Sequence, residues 1–138
     1  MQLHHTVLND LQETFHKAAL DSGVIERYFK IGPCEVHMRF AGIELANKMT
    51  PALEHLAIAK SQNPDLTIFL WDDITTKTVM PPILWTDNSD KKQSSIIKML
   101  NTNKIYVTYN AFKHILNVYD ATSETAFFWV PDARKVPS

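Results

Sequence analysis

Glycine and cysteine are scarce in this chain: Gly23, Gly32, Gly42 and Cys34 are all it has in 138 residues. The glycines are scattered and none falls in a G-x-x-x-x-G-K-[ST] pattern, so no phosphate-cradling loop is expected. One cysteine cannot form an internal bridge, and no C-x-x-C pair is available for a zinc ribbon or a dithiol. Charge of one sign is missing too. With 14 Lys+Arg against 15 Asp+Glu the formal charge is -1, which leaves no global field to gather nucleic-acid phosphates or an anionic membrane. Neither is expected as a partner. No window approaches the roughly 20 apolar residues of a membrane helix. The start "MQLHHTVLNDLQ" lacks the basic region and apolar run of a secretion signal. The expected place is the cytoplasm, with a reduced thiol.

What is present is ordinary globular material, 45% hydrophobic and 21% charged, in a length that suits one domain, 1–138, with a real core. Leu8, Leu11, Phe15, Ala18 and Ala19 set one apolar stripe on a helix running to about Ser22, with Gly23 as its stop. "VIERYFKIG" and "CEVHMRFAG" read as a half-buried hairpin in which Cys34, Val36, Met38 and Phe40 point inward and Glu35, His37 and Arg39 outward. From Ile43 the period is helical again, and Pro51 either kinks this helix or starts a second one capped by Thr50.

"LTIFLW", Leu66 to Trp71, is continuously apolar and short, the pattern of a central strand covered on both faces. Regularity fades between Asp72 and Asn103, where Pro81-Pro82 and the polar "TDNSDKKQSS" interrupt. "KIYVTYN", "FKHILNVYD" and "TAFFWV" then read as a three-stranded meander. The order predicts an α+β domain with a largely antiparallel sheet, a C-terminal β-meander and two to three helices, placed on one face. Pro131 should end the last strand, leaving about 131–138 as an extended exit linker that carries Arg134 and Lys135.

The chemistry-bearing residues give little. Asp72 and Asp73 follow the central strand, but neighbours in a strand face opposite ways, so a solvated strand end is the expected reading rather than a catalytic dyad. Six histidines make no H-x-x-x-H pair, which argues against a metal site. "DNSDKK" begins like a calcium loop and then puts Lys91 and Lys92 where a ligand and the glycine belong. Cys34 reads as a small core residue. Trp71 and Trp129 suit the core, whereas Trp85, in the irregular stretch, suits an exposed contact.

Four phrases carry a resemblance. "RFAG" (Arg39 to Gly42), "PALEHL" (Pro51 to Leu56), "PDLTIFLWDD" (Pro64 to Asp73) and "FFWVPDARKVP" (Phe127 to Pro137) resemble the N-terminal region of HPr-kinase-like serine kinases. This bacterial family is associated with the biosynthesis of ribosomally made peptides. The resemblance spans roughly Val36 to the C-terminus and departs from the family's small residues at Asp73-Ile74. It implies an accessory domain, freestanding or excised, whose final phrase in the family leads into a P-loop kinase module binding ATP and Mg²⁺. That module's lysine, metal ligands and carboxylates have no counterparts here, so no catalytic residue and no cofactor is carried over. The expected function is a non-catalytic docking domain for the kinase module or for a peptide or protein substrate, with an open sheet edge available for strand addition. Asp72, Asp73, Trp85, Arg134 and Lys135 are the expected contacts. The alternative is a small hydrolase or transferase using Asp72 or Asp73 with His37, His55 or His114 as an acid–base pair.

Overall fold

The apolar stripe of the first helix, α1 (Gln2–Ser22), is what seats it on a sheet. In the computed structural model, which describes residues 2–79, 104–110 and 114–136, Leu11, Phe15 and Ala18 are wholly buried on that stripe. Gly23, at φ 79°, ends the helix by donating its N–H to the carbonyl of Ala19 at 2.8 Å; the left-handed conformation costs glycine nothing. The chain then enters the hairpin β1 (Val24–Ile31) and β2 (Cys34–Ala41). Gly42 follows at φ 85°, so close to α1 that a Cβ there would lie 3.2 Å from Cβ of Ser22. This contact pins the end of α1 to the end of β2.

Helix α2 (Ile43–Met49) runs directly into a 3-10 helix, Thr50–Leu56. Thr50 does not cap a new helix; its hydroxyl donates back to the carbonyl of Ala46 at 2.7 Å, and Pro51 tightens the spiral instead of breaking it. Strand β3 (Leu66–Asp72) and the one-turn helix α3 (Asp73–Thr76) come next. The meander β4 (Ile105–Asn110), β5 (Ile115–Asp120) and β6 (Thr125–Val130) completes the sheet.

The six strands lie in the order β1-β2-β3-β6-β5-β4. The β1–β2, β4–β5 and β5–β6 pairs are antiparallel, while β2–β3 and β3–β6 are parallel. The α+β class, the meander and the central position of β3 are as the sequence predicts. Placement of the helices on one face is not. Helix α1 covers a first core made with Phe69, Trp71, Leu116, Val118, Phe127 and Trp129. Helix α2, its 3-10 extension and the chain's last turn cover a second, opposite core around Phe29, Val36, Phe40, Leu70 and Val130. The cause is written in β3 and β6, whose residues are apolar in both registers and therefore require cover on both sides.

Two further expectations are corrected. Cys34 is exposed, because it opens β2 at the hairpin rim opposite Ile31, beyond the reach of either helical layer. Residues 131–136 do not form an extended linker. Val130 does end the strand, but Asp132 then caps a 3-10 helix, Ala133–Lys135, by accepting the N–H of Arg134. Ala133 is fully buried and Val136 packs on the second core. The expectations for Pro81-Pro82, Trp85 and the polar "TDNSDKKQSS" fall outside the described residues.

Candidate functional site

Asp72, the last residue of β3, is 0% exposed. It is not the solvated strand end that its polar neighbourhood suggests. Its backbone is still extended, at φ -133° and ψ 161°, which is the geometry of an N-cap, and its carboxylate caps α3. One oxygen accepts the N–H of Thr75 at 3.0 Å and the N–H of Ala133 at 2.8 Å; the other accepts the Thr75 hydroxyl. The Asp72 carbonyl accepts the hydroxyl of Thr76. A charge in so buried a place is tolerated because several donors converge on it.

Asp73 turns away at the first position of α3 and is half-buried. Its Oδ1 accepts the indole N–H of Trp129 at 2.9 Å. The N–H of Ile74 donates to the carbonyl of Pro131 at 3.1 Å. Together these bonds tie the end of β3 to the chain's last turn, which explains why "WDD" and "VPDARK" meet in space although 56 residues separate Asp73 from Trp129. Asp132 takes the Nε and Nη2 of Arg134 at 3.0 and 2.9 Å. The guanidinium's hydrogen bonds hold the Asp132 carboxyl below its ordinary range. Arg134 is pushed up in turn, first by bonding to Asp132 and then by the fields of that carboxylate, Asp72 and Glu44.

The expected contact residues therefore separate. Asp72 is corrected: its oxygens are occupied by the chain's own donors, and it has no surface to offer. Asp73 is partly committed to Trp129. Arg134 and Lys135 are exposed but ride on a packed 3-10 helix instead of a tail. Trp85 falls outside the described residues. The acid–histidine pairing is not the one expected either. His37 Nε2 lies 2.9 Å from Glu26 Oε1 across the β1–β2 hairpin. His55 is exposed on the first 3-10 helix, and His114 is exposed at the turn into β5.

Sequence reasoning missed the cluster around that pair. Glu26 stands opposite Arg39, and Tyr28 opposite His37, in the hairpin register. Tyr28 and His37 stack with centroids 4.4 Å apart and planes 4° from parallel. The Arg39 guanidinium lies over the rings of Phe15 and Phe69, at 6.0 and 5.5 Å, with Nε 3.5 Å from Glu26 Oε1. The polar alternation in "CEVHMRFA" held the signal, but the opposing residues follow only from the register. Through Phe15 and Phe69, Arg39 joins this cluster to the first core.

A concavity lies on the other face. Helix α2 and its extension shelter the β1–β3 half of the sheet, and a groove of about 310 Å³ opens beyond them across β3, β6, β5 and β4. Met38, Met49, Ile68 and Leu70 form one end, with Phe128 in the floor and Tyr106 and Tyr119 at the far end. The two tyrosines are 55% and 38% exposed and stack at 6.0 Å. Among the described residues, none that lines the groove is charged. Sequence reading had no means of finding it, because it assembles residues from α2 and five strands. Among the described residues no group of three or more His, Cys, Asp or Glu is placed to hold a metal ion, and no helix is long and apolar enough to cross a membrane.

Comparison with protein-family models, with curated proteins and with solved structures gives no match to this chain.

Proposed function

We propose that this chain is a non-catalytic accessory domain that docks an extended segment of a peptide or protein in the open groove on the second face of its sheet. The groove is the observation that carries the reading. Concave, mostly apolar sites with a few polar groups at the rim are where ligands gain most from leaving water. Exposed tyrosines supply large contact area at low entropic cost, a property common to recognition surfaces. The docking role is the one implied by the resemblance to HPr-kinase-like serine kinases, in which the partner is a kinase module or its peptide substrate. The same proposal puts the protein in the cytoplasm, where an exposed thiol such as Cys34 stays reduced. An Asp/His enzyme gains no support from the geometry, since the Asp72 carboxylate is spent on Thr75 and Ala133.

Selection of a displayed random-peptide library on the immobilised chain tests the reading. Recovered peptides should bind the wild type and the control Lys17→Glu, on the exposed side of α1, equally well. Asn117→Arg, which sets a cation at the exposed rim of the groove, should weaken them by about tenfold or more. Binders indifferent to Asn117→Arg would place recognition elsewhere and contradict the proposal.

A further inference from the structure

We infer that the groove on the second face is built to take an aromatic side chain that carries one hydrogen-bonding group, a tryptophan or tyrosine presented by an uncharged stretch of the partner. The inference rests on the docking reading and adds the chemistry of the occupant.

Charge decides the first part. Every described residue lining the groove is uncharged, so among these residues a charged ligand would lose its hydration and gain no ion pair in return. A neutral group suffers no such loss. The groove's volume, about 310 Å³, is at the small end for ligand sites, which begin near about 300 Å³. It suits one large side chain better than a cofactor.

The walls decide the second part. Met38 and Met49 bring two thioethers to one end; these are flexible, polarizable and favourable against ring edges. At the other end, the Tyr106 and Tyr119 rings lie 19° from parallel and remain exposed, offering ring faces and edges to an incoming ring. An aliphatic side chain would gain the same area burial but not these contacts. Thr108 and Asn117, both exposed at the rim, supply the acceptor that an indole N–H or a phenol hydroxyl requires when it leaves water. A ring with a polar tip satisfies the whole lining; phenylalanine leaves the rim unused.

The full chain, labelled with ¹³C at the methionine methyl groups, provides the test, because Met38 and Met49 report on the groove directly. N-acetyl-tryptophanamide, N-acetyl-leucinamide and N-acetyl-argininamide are titrated separately. The expected result is saturable movement of the Met38 and Met49 signals with the tryptophan probe. The leucine probe should bind about two- to tenfold more weakly, and the arginine probe should leave both signals in place. Tyr119→Leu should remove the preference for tryptophan over leucine while leaving both probes in the groove. Equal affinity for leucine and tryptophan, with the same two signals moving, would overturn the aromatic inference and leave the docking reading intact. If no probe moves Met38 or Met49, this inference fails by itself, and the docking reading then stands or falls by the selected peptides and Asn117→Arg.

Discussion

Replacing Asp72 by alanine is the sharpest perturbation of the fold. The side chain is fully buried, and its carboxylate caps α3 through Thr75 while holding the N–H of Ala133 at 2.8 Å. Loss of the cap costs about 1 kcal/mol. Ala133 is itself fully buried, so its orphaned N–H adds about 1–3 kcal/mol. The sum is about 2–4 kcal/mol, a large share of the roughly 5–15 kcal/mol of a typical domain. Asp72→Asn separates the hydrogen bonds from the charge. Its amide oxygen can still receive both backbone N–H groups, and its NH₂ can donate to the Thr75 hydroxyl, which accepts as readily as it donates. About 1 kcal/mol is therefore expected for Asn, well below the cost of Ala. Urea denaturation provides the readout: the midpoint should fall in the order wild type, Asp72→Asn, Asp72→Ala at constant slope. An Asp72→Ala midpoint shift worth less than about 0.5 kcal/mol, the size of an ordinary surface change, would refute the buried-cap account.

The remaining predictions are local. Asp73→Ala should cost about 1 kcal/mol through the lost Trp129 indole bond, whereas Phe69→Ala should cost about 3–5 kcal/mol through a cavity in the first core, both measured by urea denaturation. Because Arg134 lowers the Asp132 carboxyl in the folded state, their pairing adds stability that is complete above the ordinary Asp value of about 3.9 and is lost as pH falls below it. Arg134→Met should accordingly flatten the fall of the urea midpoint below about pH 4, and an unchanged acid limb would contradict the pairing. Truncation after Val130 removes Ala133 and Val136 and leaves Asp72 without one of its donors; it should abolish the cooperative melt, while amide exchange at Ala133 in the whole chain should be slow. Gly42→Ala should destabilise by more than about 1 kcal/mol in the same melts, since φ of 85° and a Cβ 3.2 Å from Ser22 act together.

The elements legible in the sequence are those whose residues repeat a simple period. The stripe from Leu11 to Ala18 located α1, unbroken apolarity located β3, and the turns around Asn110 and Ala121 located the meander. Illegible features depend on register and on partners distant in the chain. Asp72 and Asp73 read as wet because two adjacent acids close an apolar strand, yet Ala133, Pro131 and Trp129 arrive from far along the chain to enclose them. The last turn was readable in principle, since Asp132 two residues before Arg134 is a capping pattern. Pro131, which by itself announces a linker, precedes a 3-10 helix instead. Cys34 shows the limit of alternation: its parity is inward, but its place at the hairpin rim leaves it uncovered. Of the residues that line the groove, Met38 reads as inward-facing and Ile68 and Leu70 as part of a strand covered on both faces, whereas Tyr106 and Tyr119 carry no reading beyond their place in the meander.

The docking claim is tested most directly by methyl-resolved NMR of the isoleucine, leucine and methionine side chains as a library-selected peptide is added. Met38, Met49, Ile68 and Leu70 report on the second face, and Leu11, Ile105 and Leu116 on the first core. The account predicts saturable shifts concentrated in the first set, with the second set nearly still. Shifts concentrated in the first core, or in Ile74 beside the Asp72 cap, would contradict it.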